Sequence, residues 1–448
     1  MKPRMISLFG LMMFLALVSA CKPESESRPA QQTSTTPAPL LPTATVANVA
    51  PAVTVTATKN RPPACQFNST AIAAIPSLTE SYTFSEPRVA YTTRPGGLFI
   101  YGWSSDSRQL LVNGYNYDSD RYTLVALDAQ TGTTRVYAER QAPGWAAWVP
   151  GQHAVAYADS ENLSQSGGAY RDDLWISQGS PQQATRIATG ADAESLAIDP
   201  AGRLTFFPRE RGGQPLNLRL QQYDVTTRVK QGLPFDLSQW AFPQYAQRQD
   251  ESATDSSSRR FRAVWRPGTA SQVLLYFVGM GLQLVDTQTG QICEIKLRQE
   301  NQSLTGSRIA WSPDGRYLAM AVRPAFLDQQ PGHLMIIDMN TGQQSFPDLG
   351  SGDLVDIKWG ASSHQVAALM QVVVNDGRDA YRLYLIDAGS QAVQRVLPEA
   401  TLGGGGSGSG EMSWSPDGKL LAINCPNWQD DQVMVAARVC LISTSQTP

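Results

Sequence analysis

The sequence predicts an all-β fold, a β-propeller of about seven four-stranded blades in one ring. Three observations predict it. A tryptophan followed by a tight turn recurs through the chain, an apolar strand ending in an aspartate turn follows most of these copies, and successive copies begin 45 to 67 residues apart. That spacing is the length of one blade with variable loops. The degenerate copies leave six or eight blades open as alternatives.

The N-terminus has the layout of an export signal. Lys2 and Arg4 precede an apolar stretch at 6–18, and a Ser-Ala pair then leads into Cys21. The stretch is shorter than the roughly 20 residues that cross a bilayer, which argues against a transmembrane anchor. Because the ending resembles a bacterial lipobox, we expect residues 1–20 to be a lipoprotein signal peptide and Cys21 to be lipidated. The mature protein would then be membrane-anchored and face outward; an ordinary secretory signal is the alternative.

Residues 21–77 follow the signal and are rich in Ser, Thr, Pro and Ala. Such a segment cannot bury enough apolar surface to offset its conformational entropy. We expect a disordered tether between the lipid and a folded body, the propeller of residues 78–448. The Ser-rich stretch 244–260 and the glycine run 403–410 are expected to be loops. The glycine run is not followed by the Lys-Ser or Lys-Thr of a phosphate-binding loop.

The first repeated motif joins an aromatic residue to a tight turn and a strand. Proline fixes φ, aspartate bonds to nearby backbone and glycine accepts a positive φ, so Pro-Asp-Gly favours a turn. The alternating apolar residues after it suit a buried strand. Weaker copies begin at 103, 148, 198, 265 and 359. The two strongest copies contain Trp311, Pro313, Asp314 and Gly315, and Trp414, Pro416, Asp417 and Gly418.

The second repeated motif is an apolar strand that enters a turn containing aspartate and often Thr-Gly, as in LVALDAQTG at 124–132. One motif between the first two strands and the other between the last two make one blade. We interpret the turn aspartates as acceptors of backbone N–H groups rather than catalytic carboxylates. The repeated tryptophans are interpreted as blade packing, with an exposed sugar-binding array as the alternative. The turn aspartates are Asp128, Asp286, Asp338 and Asp387.

Together the two motifs resemble the TolB-type propeller repeat, a WD40-like repeat. The same repeat builds the N-terminal propeller of prolyl oligopeptidase and dipeptidyl peptidase IV relatives. The resemblance covers residues 78–448 and is strongest in the copies at 311 and 414. It implies a ring of four-stranded blades, and it raises the question of a peptidase because related propellers cap serine peptidases.

Closure of the ring is predicted from a missing strand. After the last tryptophan copy the chain supplies two further strands, around 420–424 and 433–442, so the last blade lacks one. Residues 81–93 alternate enough to provide it. Pairing of the N- and C-terminal strands would leave no free edge and hold the ring shut.

Four cysteines remain besides Cys21, an even number that permits disulfides in an exported protein. Cys425 and Cys440 flank a short hairpin and are candidates for one bridge. Cys65 could instead reach the seventh blade, and the pairing of Cys65 and Cys293 stays open. No CxxC spacing occurs, so we expect no metal site.

No catalytic set is visible in the sequence. Ser407 and Ser409 do not match the G-x-S-x-G of a nucleophile elbow. His153 and His364 occupy the turn position where other copies have Arg or Lys, and His333 precedes a strand. We interpret all three as exposed turn or strand-end residues. The chain is therefore expected to be no enzyme and to need no cofactor.

Two functional hypotheses follow, with a third weaker one. The first is a membrane-anchored scaffold that binds a protein of the cell envelope; the second is a surface module that binds a carbohydrate or peptide at the propeller funnel; the weakest is a propeller hydrolase or lyase. The formal net charge of −3 predicts no nucleic-acid partner. We expect a monomer. Convergent polar and aromatic side chains in the funnel would favour a ligand.

Overall fold

The computed structural model describes most of the chain after residue 61. All described residues belong to one compact unit, Ala57–Pro448, and none of them to the unit before it, Met1–Thr56. Cys21 and the predicted loops 244–260 and 403–410 lie outside the described residues. The described residues are 62–67, 81–93, 97–116, 119–140, 144–161, 171–191, 195–208, 220–233, 261–277, 281–297, 302–324, 332–361, 364–373, 379–396, 411–425, 427–429 and 433–447.

The described strands form seven antiparallel sheets, which are the blades of one propeller. The predicted fold class and the number of about seven blades are confirmed. The N-terminal strands are β1 (Ser81–Phe84) and β2 (Arg88–Thr93). Blade 1 contains β3 (Leu98–Trp103), β4 (Gln109–Asn116), β5 (Arg121–Asp128) and β6 (Thr134–Arg140). Blade 2 contains β7 (Ala146–Trp148), β8 (Val155–Glu161), β9 (Arg171–Ser177) and β10 (Ala184–Ala191), with a 3-10 turn at Pro181–Gln183.

The next four blades repeat this up-and-down order. Blade 3 contains β11 (Ala197–Ile198), β12 (Arg203–Phe206), β13 (Gln221–Asp224) and β14 (Val229–Gly232). Blade 4 contains β15 (Phe261–Trp265), β16 (Gln272–Phe277), β17 (Gly281–Asp286) and β18 (Ile292–Ile295). Blade 5 contains β19 (Gln302–Trp311), β20 (Tyr317–Pro324), β21 (His333–Asp338) and β22 (Gln344–Ser345). Blade 6 contains β23 (Asp353–Trp359), β24 (Gln365–Val373), β25 (Asp379–Asp387) and β26 (Val393–Val396).

Blade 7 closes the ring with strands from both ends of the chain. Its own strands are β27 (Met412–Trp414), β28 (Leu420–Asn424), β29 (Asn427–Gln429) and the long β30 (Val433–Thr447). Both β1 and β2 pair with β30, so residues 81–93 supply the missing strand as predicted, although in two pieces. Pairing of β2 with β30 places Val89 opposite Cys440.

The first strands of the blades line the centre of the ring. Those of neighbouring blades contact one another, as β27 does with β3 and β3 does with β7, while the fourth strands lie at the rim. Since the strands are antiparallel, the turns after the first and third strands of each blade share one face, the turn face. The connections after the second and fourth strands share the other, the funnel face. Arg108 and Asp128 illustrate the turn face, because their side chains pair at 2.9 Å between the two turns of blade 1.

The Pro-Asp-Gly turns are held by the residues that define the motif. Ser312 Oγ donates to Asp314 Oδ1 at 2.6 Å, and Tyr317 N donates back to Ser312 Oγ at 2.8 Å. Gly315 has φ of 70°, and a Cβ there would lie 2.1 Å from Pro267 O of blade 4. Only glycine therefore allows this turn and its close approach to the neighbouring blade.

The core is distributed over the junctions between blades. Residues such as Ile336 and Met370 fill the junction of blades 5 and 6 with apolar side chains, and Ala321 lies among them. Each large apolar side chain buried in this way contributes roughly 1.5–3 kcal/mol. The ring is therefore stabilised blade against blade.

Residues 62–67 form an ordered segment on blade 4, which we call the strap. Ala64 bridges Glu294 of β18 in parallel, with Cys65 N donating to Glu294 O at 2.9 Å. Cys65 bonds Cys293. The pairing that the sequence left open joins Cys65 to Cys293, and the alternative in which Cys65 reaches the seventh blade is excluded. The parallel pairing with β18 brings Cys65 beside Cys293, with a Cα–Cα distance of 4.8 Å.

Candidate binding site between blades 1 and 2

The repeated tryptophans join each blade to its neighbour. Trp103 Nε1 donates to Ser413 O of blade 7 at 2.9 Å, and Trp359 Nε1 donates to Ala310 O of blade 5 at 2.8 Å. Trp311 and Trp414 are buried as well, with 7% and 8% of their surface exposed. The repeat contains six tryptophans, at positions 103, 148, 265, 311, 359 and 414, and of these Trp148 alone is half-buried. These rings pack between blades, and a sugar-binding array of all six is excluded.

The turn aspartates accept hydrogen bonds from their own turns. Asp128 Oδ1 accepts from the backbone N of Gln130 and Thr131, at 3.1 and 2.9 Å. The Thr131 N–H, with the Arg108 guanidinium, lowers the pKa of Asp128 to about 2. Asp286 and Asp387 accept in the same way from the residues two and three positions later. Their role in the turn is structural.

The remaining candidate residues do not converge. His153 and His333 are exposed, as expected, whereas His364 is half-buried at the edge of the Tyr317 ring, 6.3 Å between centroids. Cys425 and Cys440 form a disulfide on blade 7 with a Cα–Cα distance of 5.8 Å. Among the described residues, no three His, Cys, Asp or Glu side chains gather to hold a metal ion. No helix within these ranges is long and apolar enough to cross a membrane.

On the channel side, charged side chains of the inner strands bridge successive blades. Arg308 donates to Leu354 O of blade 6. Asp356 Oδ2 accepts from Met412 N of blade 7 at 2.8 Å. Glu411 accepts from Ile100 N of blade 1. These groups hold the ring together around the channel.

Half-buried aromatic rings concentrate instead at blades 1 and 2. Of the eleven half-buried aromatic side chains whose exposure is described, seven belong to these two blades and their connection. Rings with one buried face and one open face are suited to contact a second molecule. The seven are Phe99, Tyr101, Tyr115, Tyr122, Trp145, Trp148 and Trp175.

Strand register places several of these rings on the face of blade 1 that packs against blade 2. Tyr115, Tyr122 and Arg140 lie opposite one another across β4, β5 and β6. One row nearer the turn face, Asn113 lies opposite Phe99 and Leu124. Residues opposite in a sheet project from the same face. Leu124 packs with Val155 and Tyr157 of blade 2, so the whole face is turned towards that blade.

Arg140 is fully buried in this junction, with 0% of its surface exposed. Its Nη1 donates to Gly144 O at 3.1 Å and to Ala158 O of blade 2 at 3.0 Å, and its Nη2 donates to Tyr101 Oη at 2.7 Å. The guanidinium also lies over the rings of Tyr101 and Tyr157, 5.5 and 5.8 Å from their centroids. Burial raises the pKa of Tyr101, while the charge and hydrogen bond of Arg140 oppose that rise.

Two polar groups here have no hydrogen-bond partner in the described part of the chain. One is the Asn113 amide, of which both Oδ1 and Nδ2 are free and 0% of the residue surface is exposed; the other is Arg140 Nε. Asn424 occupies the corresponding position of blade 7, ten residues after its tryptophan, but its Nδ2 donates to Leu98 O at 3.3 Å. The sequence did not single out Asn113 or Arg140.

Blade 2 completes the junction with charged and aromatic side chains. Arg186 pairs with Asp173 at 3.1 Å and lies over the Trp175 ring at 5.9 Å. Burial raises the pKa of Tyr157 to about 12, and the nearby Asp159 charge adds to the rise while Arg140 opposes it. The junction thus combines half-open rings, both signs of charge and open hydrogen-bonding groups, an arrangement suited to binding.

No family model and no curated protein matches the chain. Among solved structures, an oligogalacturonate lyase from Vibrio parahaemolyticus is similar over 82% of this chain and 97% of its own, with a TM-score of 0.54 and 13% identity. TolB from Acinetobacter baumannii is similar over 69% of this chain and 66% of its own, just under two thirds (TM-score 0.41, 16% identity). The Myceliophteria thermophila Cps50 (Swd1) β-propeller domain covers 78% and 98% (TM-score 0.47, 15% identity). At these identities the first likeness supports the propeller fold alone.

Proposed function

We propose that this chain is a membrane-anchored, outward-facing lipoprotein whose propeller is a protein-interaction scaffold, binding its partner at the funnel side of blades 1 and 2. The observation that carries the proposal is the concentration of half-buried aromatic rings around Arg140, with Phe99, Tyr115 and Tyr122 towards the funnel ends of their strands. Tyr, Trp and Arg are the residues that dominate binding energy in protein interfaces.

The hydrogen bonds of the acidic side chains favour a binding role over a catalytic one. The turn aspartates accept backbone N–H groups, and the channel-side Asp356 and Glu411 bind backbone of the next blade. A general acid or base has to face a substrate. These carboxylates face the chain itself.

Two disulfides support an outward location. Cys65–Cys293 and Cys425–Cys440 use all four cysteines that follow Cys21. Structural disulfides persist in oxidising compartments outside the cytoplasm. This agrees with the export signal and lipidated Cys21 expected from the sequence.

The test is a crosslinking pull-down with the full chain in detergent against envelope extract of the source cells. A reproducible protein partner that depends on Tyr122 and Trp145 is expected. The variant Y122A/W145A should lose most of that partner. The matched control is Phe346→Ala, which removes a half-buried ring far from the junction.

Three results would oppose the proposal in different ways. Equal capture by Y122A/W145A and the wild type would place the interface elsewhere. No partner for a folded bait would reject the scaffold, and binding of an oligosaccharide to the same bait would then support a ligand-binding module. Absence of palmitate label on the wild type, with Cys21→Ala as the control, would reject lipid anchoring.

A further inference from the structure

The junction of blades 1 and 2 buries hydrogen-bonding capacity that the described chain leaves open. Asn113 offers the two N–H groups of Nδ2 and the acceptor Oδ1, and Arg140 offers its Nε–H. Buried polar groups in folded proteins are paired in the great majority of cases. Three open atoms in one junction therefore point to an occupant.

The open groups lie on the same side of one sheet. The hydrogen bond between Arg140 of β6 and Tyr101 of β3 spans the sheet, because β4 and β5 lie between those strands. Asn113 projects from β4 on that same face. Phe99, opposite Asn113, and Tyr115, two residues further towards the funnel face, are half-exposed. The amide therefore lies one row further from the funnel face than the paired rings of Tyr115 and Tyr122.

The chemistry of the open atoms selects one kind of group. An extended main-chain residue turns its own N–H and C=O to the same side, where the C=O can accept from Asn113 Nδ2 and the N–H can donate to Asn113 Oδ1; a neighbouring carbonyl can accept from Arg140 Nε. A carboxylate has acceptors alone and would leave Asn113 Oδ1 unpaired. It would also meet the Asp159 charge, which acts on Tyr157 beside Arg140.

We propose that Asn113 and Arg140 bind the main-chain amides of an extended peptide segment of the partner, which enters between blades 1 and 2. The half-buried rings of Phe99, Tyr115 and Tyr122 contact its side chains. This inference rests on the proposed scaffold function and specifies the part of the partner that is recognised.

The molecule already uses the same repeat position to bind backbone. Asn424, the counterpart of Asn113 in blade 7, donates to the main-chain oxygen of Leu98 in the next blade. In the described part of the chain the corresponding amide of blade 1 has no partner, and the incoming segment supplies the carbonyl that Leu98 supplies to Asn424 at blade 7. Another counterpart, Ala321 of blade 5, has no polar side-chain group and is packed among apolar residues.

The experiment uses a random-peptide library displayed on phage, selected on the full chain in detergent. The strongest selected peptide is synthesised, and its Kd is measured for the wild type, Asn113→Ala and Asn424→Ala. Loss of the paired amide in N113A should weaken binding at least about tenfold. Because its amide is open without the peptide, N113A should unfold at or above the wild-type temperature.

Asn424→Ala is the matched control, since it removes the same amide from the same repeat position. It should lower the unfolding temperature, because the bond to Leu98 is lost, and change the Kd by no more than roughly twofold. Arg140→Lys keeps the positive charge and removes the Nε–H of the guanidinium group. It should weaken peptide binding as well.

Other outcomes overturn the inference. Equal Kd values for N113A and the wild type would show that the peptide binds elsewhere. Binding of a chitin oligosaccharide in place of any peptide would assign the amide to an acetamido sugar. Failure of both probes would leave buried water as the occupant. A crosslinked partner retained by N113A would leave the scaffold standing and reject this inference alone; no peptide and no partner would reject both.

Discussion

The junction between blades 1 and 2 and the junction between blades 5 and 6 are built on the same repeat but bury different groups. At 5–6 most of the facing residues are apolar, with Ala321, Ile336 and Met370 among them, and the Tyr317 hydroxyl is a buried polar group of the cluster. At 1–2 the corresponding face carries Asn113 and Arg140. Ala321 and Asn113 are counterparts, each ten residues after the tryptophan of its blade.

This difference distinguishes a junction that mainly stabilises the ring from the junction at which we propose that a partner binds. An apolar junction gains free energy from burial and needs no partner. A polar junction gains little unless every group is paired, and at 1–2 part of the set is open. Blades 5 and 6 are therefore joined mainly by apolar burial, while blades 1 and 2 form the junction in which we place the proposed interface.

The largest expected effect comes from removing the buried cation. Arg140→Leu leaves the carbonyls of Gly144 and Ala158 and the Tyr101 hydroxyl without their donor. We expect a loss of about 4 kcal/mol in the free energy of unfolding, since breaking a buried charged network leaves its other members unpaired. Urea unfolding measures it. A loss below about 1 kcal/mol would mean that the junction is hydrated and the comparison with blades 5–6 fails.

The next prediction exchanges the two junctions at one position. Ala321→Asn places an amide among the apolar side chains of this junction and should cost about 2 kcal/mol, because burying an unpaired amide is unfavourable. Asn113→Ala, the reverse exchange, should cost nothing or stabilise. The pair is measured by thermal unfolding of both variants. Equal losses would show that Asn113 is paired in solution.

The smallest effect concerns the turn face, where blades 1 and 5 carry the same kind of ion pair. Asp128 pairs with Arg108 and Asp338 with Arg316, each at 2.9 Å. The pKa of Asp128 is lowered to about 2, so its charge stabilises the fold above the ordinary pKa near 4 and is lost as the pH falls towards 2. Asp128→Asn should lose about 1 kcal/mol at pH 7 and little at about pH 2.

Urea midpoints at both pH values measure this effect, and Asp338→Asn is the control at neutral pH. Similar losses for the two variants at pH 7 would confine the difference between blades to the funnel side. A loss for Asp128→Asn that grows as the pH falls would contradict a lowered pKa for this carboxyl.

The sequence predicted the fold because its determinants are local and repeated. The Ser-Pro-Asp-Gly turns carry their own hydrogen bonds, and the strands after them alternate visibly. The proposed binding junction could not be predicted in this way. Arg140 meets Tyr101, 39 residues away, only because the blades pack. Asn113 and Asn424 both interrupt apolar strands, and the sequence gives no reason to separate them. Their difference is whether the neighbouring blade supplies a carbonyl.

The strap determines how the ring responds to a pull on its N-terminal side. A force on the chain before residue 62 reaches blade 4 through the Cys65–Cys293 bond before it reaches β1. The covalent bond carries that force, and the hydrogen bonds of β1 and β2 with β30 are shielded from shear. With the bond reduced, the same force would reach the strands that close the ring. The disulfide on blade 4 thus keeps such a force from separating β1 and β2 from β30 at blade 7.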